Sequence, residues 1–183
     1  MGSANGTMAA PLAQTGRRYL GIGELLVSDE ELIVSTVLGS CVSILLHHPR
    51  SRLSGICHSQ LAERHGEGFD CRDACPHPCG REFDSDNDYR YLSCAAARLM
   101  ADFDGRGIPR SELRVSLFGG GDMVGVNVFR IGERNVKKAH KIISDWGLRI
   151  AEEDTGGRTS RRLSLDMRTG KCTVALGPAP GSG

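Results

Sequence analysis

The feature that most constrains this chain is a pair of apolar, β-prone runs split by a proline, within VSTVLGSCVSILLHHPRSRLSGICHSQL from Val34 to Leu61. Cys41 to Leu46 mixes alternation with continuous apolarity, as expected of a strand covered on at least one face. His47-His48-Pro49-Arg50-Ser51 breaks that run, and proline among small polar residues favours a reversal. Leu53 to His58 then returns as a second strand. Such a hairpin brings Cys41, which follows a Gly-Ser turn, toward His58 at the far end of the partner. A thiol beside an imidazole is the minimal apparatus of a nucleophile and its base.

The rest of the chain supplies a frame for that hairpin. Residues 1–17 are small and polar without apolar period, and read as a flexible leader. Tyr19 to Asp29 reads as a first strand containing Gly21 and Gly23, followed by ELIVSTVLGS with β-prone Ile33, Val34, Val37 and Leu38. Residues 63–88 are polar and charged and read as a long loop. An amphipathic helix is expected over Tyr89 to Phe103, with Leu92, Ala95, Ala96, Leu99 and Met100 on one face. A strand over 113–118 runs into Gly119-Gly120-Gly121, and a second helix is expected over Val136 to Trp146, with Gly147 as its cap. A strand over 148–154 and a hairpin of 161–167 with 171–176 close the domain, leaving 177–183 as a flexible tail. Many strands and two helices predict an α+β fold of packed β-sheets with flanking helices, one domain spanning 18–176.

Composition sets limits on function. Twenty-three basic and 22 acidic residues give a net charge of +1, so there is no broad field to draw in nucleic acid. No run reaches the ~18 apolar residues of a membrane span, and no apolar signal core follows a basic cap, so a cytoplasmic protein without membrane insertion is expected. The seven cysteines form an odd set in a chain too large to need disulfide staples, which favours reduced thiols, catalysis or metal binding.

Amides of the Gly39-Ser40 turn can lower a thiol pKa and stabilise an oxyanion, and this sets Cys41 apart from an ordinary buried cysteine. His58 is the best-placed base. His47 and His48 flank the proline turn and are expected in solvent, and His65 and His140 have no accompanying pattern. Ser35 and Thr36 can each offer a hydroxyl to the imidazole or to substrate. Gly119 and Gly120 let backbone approach a ligand closely, while Arg134, Asn135 and Thr155 are polar groups that can line a substrate groove or cap an element end. A competing cluster, Cys71, Cys75, His77 and Cys79, has the donor types and spacing for a tetrahedral zinc ion, with Pro76 and Pro78 favouring a knuckle.

Five ordered motifs give the chain a family likeness. They are Leu38-Gly39-Ser40-Cys41-Val42; Gly55-Ile56-Cys57-His58 with Leu61; Phe118-Gly119-Gly120 with Met123; Ile131-Gly132-x-Arg134-Asn135; and Asp154-Thr155-Gly156-Gly157 with Arg161. In order and spacing, from about Gly21 to about Lys171, the chain resembles the CheD family of chemoreceptor glutamine deamidases. The resemblance implies deamidation of glutamines on the cytoplasmic helical domain of chemotaxis receptors, with the family's cysteine and histidine at Cys41 and His58. The family's threonine falls by ungapped spacing on Ser35, with Thr36 one step away. A fold shared with glutamine-deamidating toxins is implied, as is a CheC-type phosphatase partner, and the same chemistry extends to glutamyl methyl esters. Ala62 and Gly121 depart from the usual Pro and Ala, and the Cys71 to Cys79 cluster is foreign to the pattern. A non-catalytic module that docks CheC or receptor helices, and a metal- or redox-sensing regulator built on the cysteine loop, are the rival readings.

Overall fold

The computed structural model describes residues 15–63, 88–122 and 130–177, and these form two stacked sheets with helices against one of them. The strands are β1 (Gly16–Tyr19), β2 (Leu25–Ser28), β3 (Leu32–Leu38), β4 (Val42–His48), β5 (Leu53–Cys57), β6 (Arg114–Gly119), β7 (Ile150–Thr155), β8 (Arg161–Asp166) and β9 (Lys171–Leu176). The helices are α1 (Leu92–Asp104) and α2 (Ile131–Asp145). One sheet has the order β1-β3-β8-β9 and the other β2-β5-β4-β6-β7, so the architecture is α+β.

The five-stranded sheet is the middle layer, and this explains the near-continuous apolarity of β4. On β4, Val42, Ile44 and Leu46 pack toward α1 and α2, while Cys41 and Leu45 join the layer between the sheets. On β5, Leu53 and Cys57 face the helices and Ile56 faces the other sheet. Because strand side chains alternate faces, Cys57 and His58 fall on opposite sides despite being neighbours. Gly55 lies on the helix side, where a β-carbon would meet Leu99 Cδ1 at 2.5 Å, so its bare backbone lets α1 settle on the sheet. Helix α1 buries Leu92, Ala95, Ala96, Leu99, Met100 and Phe103 at the three-and-four spacing of one helical face. Each such large side chain removed from water contributes about 1.5–3 kcal/mol.

Several elements differ from expectation. The Tyr19 to Asp29 strand is two strands in different sheets. Residues 20–24 cross between the layers, with Gly23 at a φ of 81° in that crossing. Strand β1 begins at Gly16, inside the segment read as leader, and pairs in parallel with β3. Helix α2 starts at Ile131, five residues before the expected Val136, so Arg134 and Asn135 lie within it. Its first turn is held by backbone packing that an apolar period cannot reveal: a β-carbon on Gly132 would lie 2.4 Å from the Gly120 carbonyl oxygen. Residues 88–90 form a 3₁₀ turn ahead of α1.

His47 and His48 are buried rather than in solvent, at 4% and 7% exposure. The strand carries them past the expected break to the β4 terminus, where each finds partners distant in sequence. His47 Nδ1 meets Ser54 Oγ at 2.8 Å, and Ser54 donates onward to the Met167 carbonyl. His48 Nε2 meets Glu112 at 3.0 Å. The residues of the leader before Thr15 and those of the tail after Gly177 lie outside the described residues.

Candidate active site

Register alone sets the first relationship in the site. Strands β4 and β5 pair antiparallel with Leu45 opposite Ile56, and the ladder extends to a Val42–Ser59 bridge closed by two 2.9 Å backbone bonds. Continuing that register puts Ser43 opposite His58 and Cys41 one diagonal step from it, on the same face. Diagonal neighbours in an antiparallel pair are about 7–8 Å apart at their α-carbons, within reach of a thiol and an imidazole. Cys41 is 8% exposed and His58 2% exposed.

The imidazole is held from several sides. His58 donates its backbone N–H to the Glu24 carbonyl (2.9 Å), and its own carbonyl accepts from the Gly23 N–H (2.8 Å). Thr36 Oγ1 lies 2.8 Å from His58 Nδ1 and 2.8 Å from the Leu20 carbonyl oxygen. A carbonyl can only accept, so the single hydroxyl proton goes to Leu20, and the Thr36 oxygen then accepts from a protonated Nδ1. The Leu20 carbonyl also stands 3.4 Å from Nδ1. This fixes the tautomer with the lone pair on Nε2, which is buried with no hydrogen-bond partner among the described residues. With Nδ1 turned toward Thr36 and Leu20, Nε2 is the nitrogen left for the side of the ring carrying Cys41.

Of the two candidate hydroxyls, Thr36 therefore meets the histidine. Ser35 occupies the opposite face of β3, where its carbonyl accepts from Leu20 N–H at 2.8 Å. The alternation of buried Val34, Thr36 and Leu38 carried the signal for Thr36 in the sequence. The support that Leu20, Gly23 and Glu24 give the histidine leaves little trace in the sequence beyond two glycines interrupting a strand-like run.

Burial disfavours charge on both Cys41 and His58. Burial pushes the Cys41 thiol above its usual range, while its own backbone N–H pulls weakly the other way. Burial likewise pulls His58 below the ordinary histidine value, against smaller opposing effects of the Leu20 carbonyl and the Glu24 carboxylate. Burial therefore works against both the thiolate and the imidazolium. Cys57, fully buried on the helix side, is pushed up to about 11 and takes no part.

The Gly39-Ser40-Cys41 turn is buttressed from behind. Gly120 and Gly121 donate their amides to the carbonyls of Cys41 and Gly39, each at 2.8 Å. Gly119 has a φ of 106°, and a β-carbon there would lie 2.1 Å from the Cys41 carbonyl oxygen. Gly119 and Gly120 thus support the Gly39-Ser40-Cys41 turn, and the amides of Gly120 and Gly121 are already engaged. By contrast, the amides of Ser40 and Cys41 have no backbone carbonyl partner among the described residues.

Asn135, 1% exposed, ties the turn to the histidine segment. Its Nδ2 donates to the Ser40 carbonyl (2.9 Å) and the Gln60 carbonyl (2.8 Å). Arg134, on the next position of α2, is exposed and lines an open pocket with Leu61, Ala62, Glu63, Ile131 and Asn135. Thr155 is engaged with Glu153 at 2.7 Å, at the end of β7 beside Gly119. Arg161, buried, pairs with Asp154 at 2.8 Å and links β8 of one sheet to β7, the edge strand of the other. Cys71, Cys75, His77 and Cys79, like His65 and Met123, lie outside the described residues. Among the described residues no group of three or more His, Cys, Asp or Glu could hold a metal ion.

An α+β scaffold that places a buried cysteine and a tautomer-fixed imidazole on one sheet face, beside turn amides without a backbone partner among the described residues, offers the groups that amide hydrolysis needs. Comparison with known proteins gives this layout a family. Residues 76–176 match the model of the CheD family, described as CheD chemotactic sensory transduction. A Geobacter sulfurreducens protein named probable chemoreceptor glutamine deamidase CheD 2 is 35% identical over 155 residues, covering 84% of this chain and 85% of the relative. A Pyrococcus abyssi protein named probable chemoreceptor glutamine deamidase CheD is 33% identical over 156 residues, covering 83% and 86%. The chemoreceptor glutamine deamidase CheD of Thermotoga maritima is 27% identical over 159 residues, covering 86% and 90%. The chain belongs to the CheD family.

Proposed function

We propose that the protein deamidates glutamine side chains of chemoreceptors, residues 18–176 acting as one catalytic domain. The observation that carries this reading is the free, buried Nε2 of His58 on the face shared with Cys41, its tautomer set by Thr36 and Leu20. Nε2 takes the thiol proton as Cys41 Sγ attacks the carboxamide carbon, and the amides of Ser40 and Cys41 receive the oxyanion. The imidazolium returns that proton to the departing nitrogen, releasing ammonia and leaving a thioester. Water then attacks the thioester carbon, losing a proton to Nε2. Collapse frees the acid and the Cys41 thiolate, which recovers the proton from His58. The sum is amide plus water to acid plus ammonia, and a glutamyl methyl ester follows the same route with methanol as leaving group.

The substrate on this reading is the cytoplasmic helical domain of a receptor, reached by a protein working in the cytoplasm. No helix among the described residues is long and apolar enough to cross a membrane. A CheC-type phosphatase is a proposed partner, and the proposed structural kin are glutamine-deamidating toxins. The mechanism uses no cofactor. Zinc on the Cys71 to Cys79 segment is a separate proposal, answered by metal analysis of the purified protein and of a Cys75→Ser variant.

Mass spectrometry of a receptor cytoplasmic fragment incubated with the protein should show a gain of about one dalton per modified glutamine, abolished by Cys41→Ala. A fragment that binds equally well to both proteins and is modified by neither would identify a docking module instead. Equal activity of wild type and Cys41→Ala would sink the nucleophile assignment.

A further inference from the structure

The pocket beside Asn135 adjoins the reactive turn, and the chemistry above does not use it. It is a small open hollow of about 80 Å³, and its walls are the aliphatic side chains of Leu61, Ala62 and Ile131. It adjoins the site through Asn135, which binds the carbonyls of Ser40, just before Cys41, and Gln60, two residues past His58. Two ionisable groups stand in its lining, and their circumstances differ. Glu63 is 2.7 Å from Lys138 Nζ and largely covered, so its charge is met. The Arg134 side chain is exposed and has no ion pair or hydrogen bond with any described residue. With Lys138 cancelling Glu63, the pocket presents above its aliphatic wall a guanidinium that no described residue pairs with.

A short aliphatic stem ending in a carboxylate complements both parts. From this charge pattern, and resting on the deamidase reading, we infer that the pocket receives an acidic side chain of the substrate helix, close to the glutamine entering the Cys41–His58 site, with Arg134 as its counter-ion. Arg134 is then a specificity residue acting on substrate binding, and a neighbouring glutamate marks a glutamine for modification. The guanidinium can grip a carboxylate through paired N–H donors, which a lysine cannot copy.

The test uses helical peptides that carry one target glutamine and a single Glu, Met or Lys scanned through the turn on either side. Binding to full-length Cys41→Ala protein is followed by fluorescence anisotropy, and KM is followed with the wild type. At one or more positions Glu should bind roughly two- to fivefold more tightly than Met, the range of a partly exposed ion pair, with Lys weakest. The preference should fade as salt is raised. In Arg134→Glu the order should invert, with Lys favoured over Glu at the same position; a general loosening of the site would weaken all three alike. An unchanged order in Arg134→Glu, or no Glu preference at any position, overturns the assignment. Absence of deamidation by the wild type would instead defeat the enzymatic reading, and the anisotropy series would still decide the pocket.

Discussion

The Thr36 hydroxyl offers the sharpest test of how the imidazole is set. Thr36→Val exchanges it for a methyl group and deletes two 2.8 Å contacts, the donation to the Leu20 carbonyl and the acceptance from His58 Nδ1. The two orphaned groups are not stranded, because the Leu20 oxygen is already 3.4 Å from Nδ1 and can take its proton if the ring tilts. Recovering one bond out of two limits the stability loss to about 1–2 kcal/mol. The tilt would displace Nε2 relative to Cys41, and displacements of up to about 1 Å at a reacting group cost on the order of 10²-fold in rate. We expect kcat for ammonia release from a saturating receptor fragment to fall roughly 10- to 100-fold, with Thr36→Ser largely restored. Nitrogen-15 NMR should find the Nδ1–H tautomer in the wild type and a mixture in Thr36→Val. Ser35→Ala, on the opposite strand face, should change stability by less than ~0.5 kcal/mol and leave the rate nearly intact. A larger loss from Ser35→Ala than from Thr36→Val would refute this account of the site.

Other expectations concern pH and packing. Because burial lowers the His58 pKa, the acid limb of the pH–rate profile should lie below that of an ordinary histidine. A profile falling above pH 6.5 would contradict the buried, neutral base. His47 shifts in the same direction, so the unfolded chain binds protons first, and stability followed by thermal melts should be lost as pH drops below 6.5. Cys57 has the opposite sign. Its thiol is raised from 9.0 to about 11, so it destabilises the fold as pH rises from 9 toward 11, and Cys57→Ala should flatten that part of the curve. In Gly132→Ala the new β-carbon would meet backbone atoms of Gly120 and Gly121 at 2.4 to 2.8 Å, where nothing can swing aside. A loss of roughly 3 kcal/mol in urea unfolding is expected, with poor activity in the folded fraction. Asn135→Ala should lower kcat more than it raises KM, because the clamp between Ser40 and Gln60 acts on the reacting groups.

The sequence shows the strand pair and its chemistry more clearly than the residues that hold them. Pro49 and the apolar runs around it announce the β4–β5 hairpin, and the alternation rule already sends Cys57 and His58 to opposite faces. The same rule groups Thr36 with Val34 and Leu38, although motif spacing points at Ser35. What local pattern hides is support from afar. The Leu20 carbonyl is a backbone group 38 residues before His58, and no side-chain identity advertises it. Asn135 reaches Ser40 across 95 residues, and the turn of helix that carries it packs on glycine backbone, so hydrophobic periodicity begins only after it. His47 and His48 look like turn residues until Ser54, Met167 and Glu112 arrive from other elements.

The crossing at residues 20–24 has a consequence for when this site comes into being. Cys41 and His58 belong to one sheet, Thr36 to the other, and Leu20 to Glu24 to the strap between them. A chain that has folded only the central hairpin possesses its thiol and its imidazole but not the contacts that choose the proton's place on the ring. On the deamidase reading, glutamine hydrolysis is therefore a property of the closed sandwich, and a half-made molecule emerging from synthesis lacks the contacts that set its imidazole.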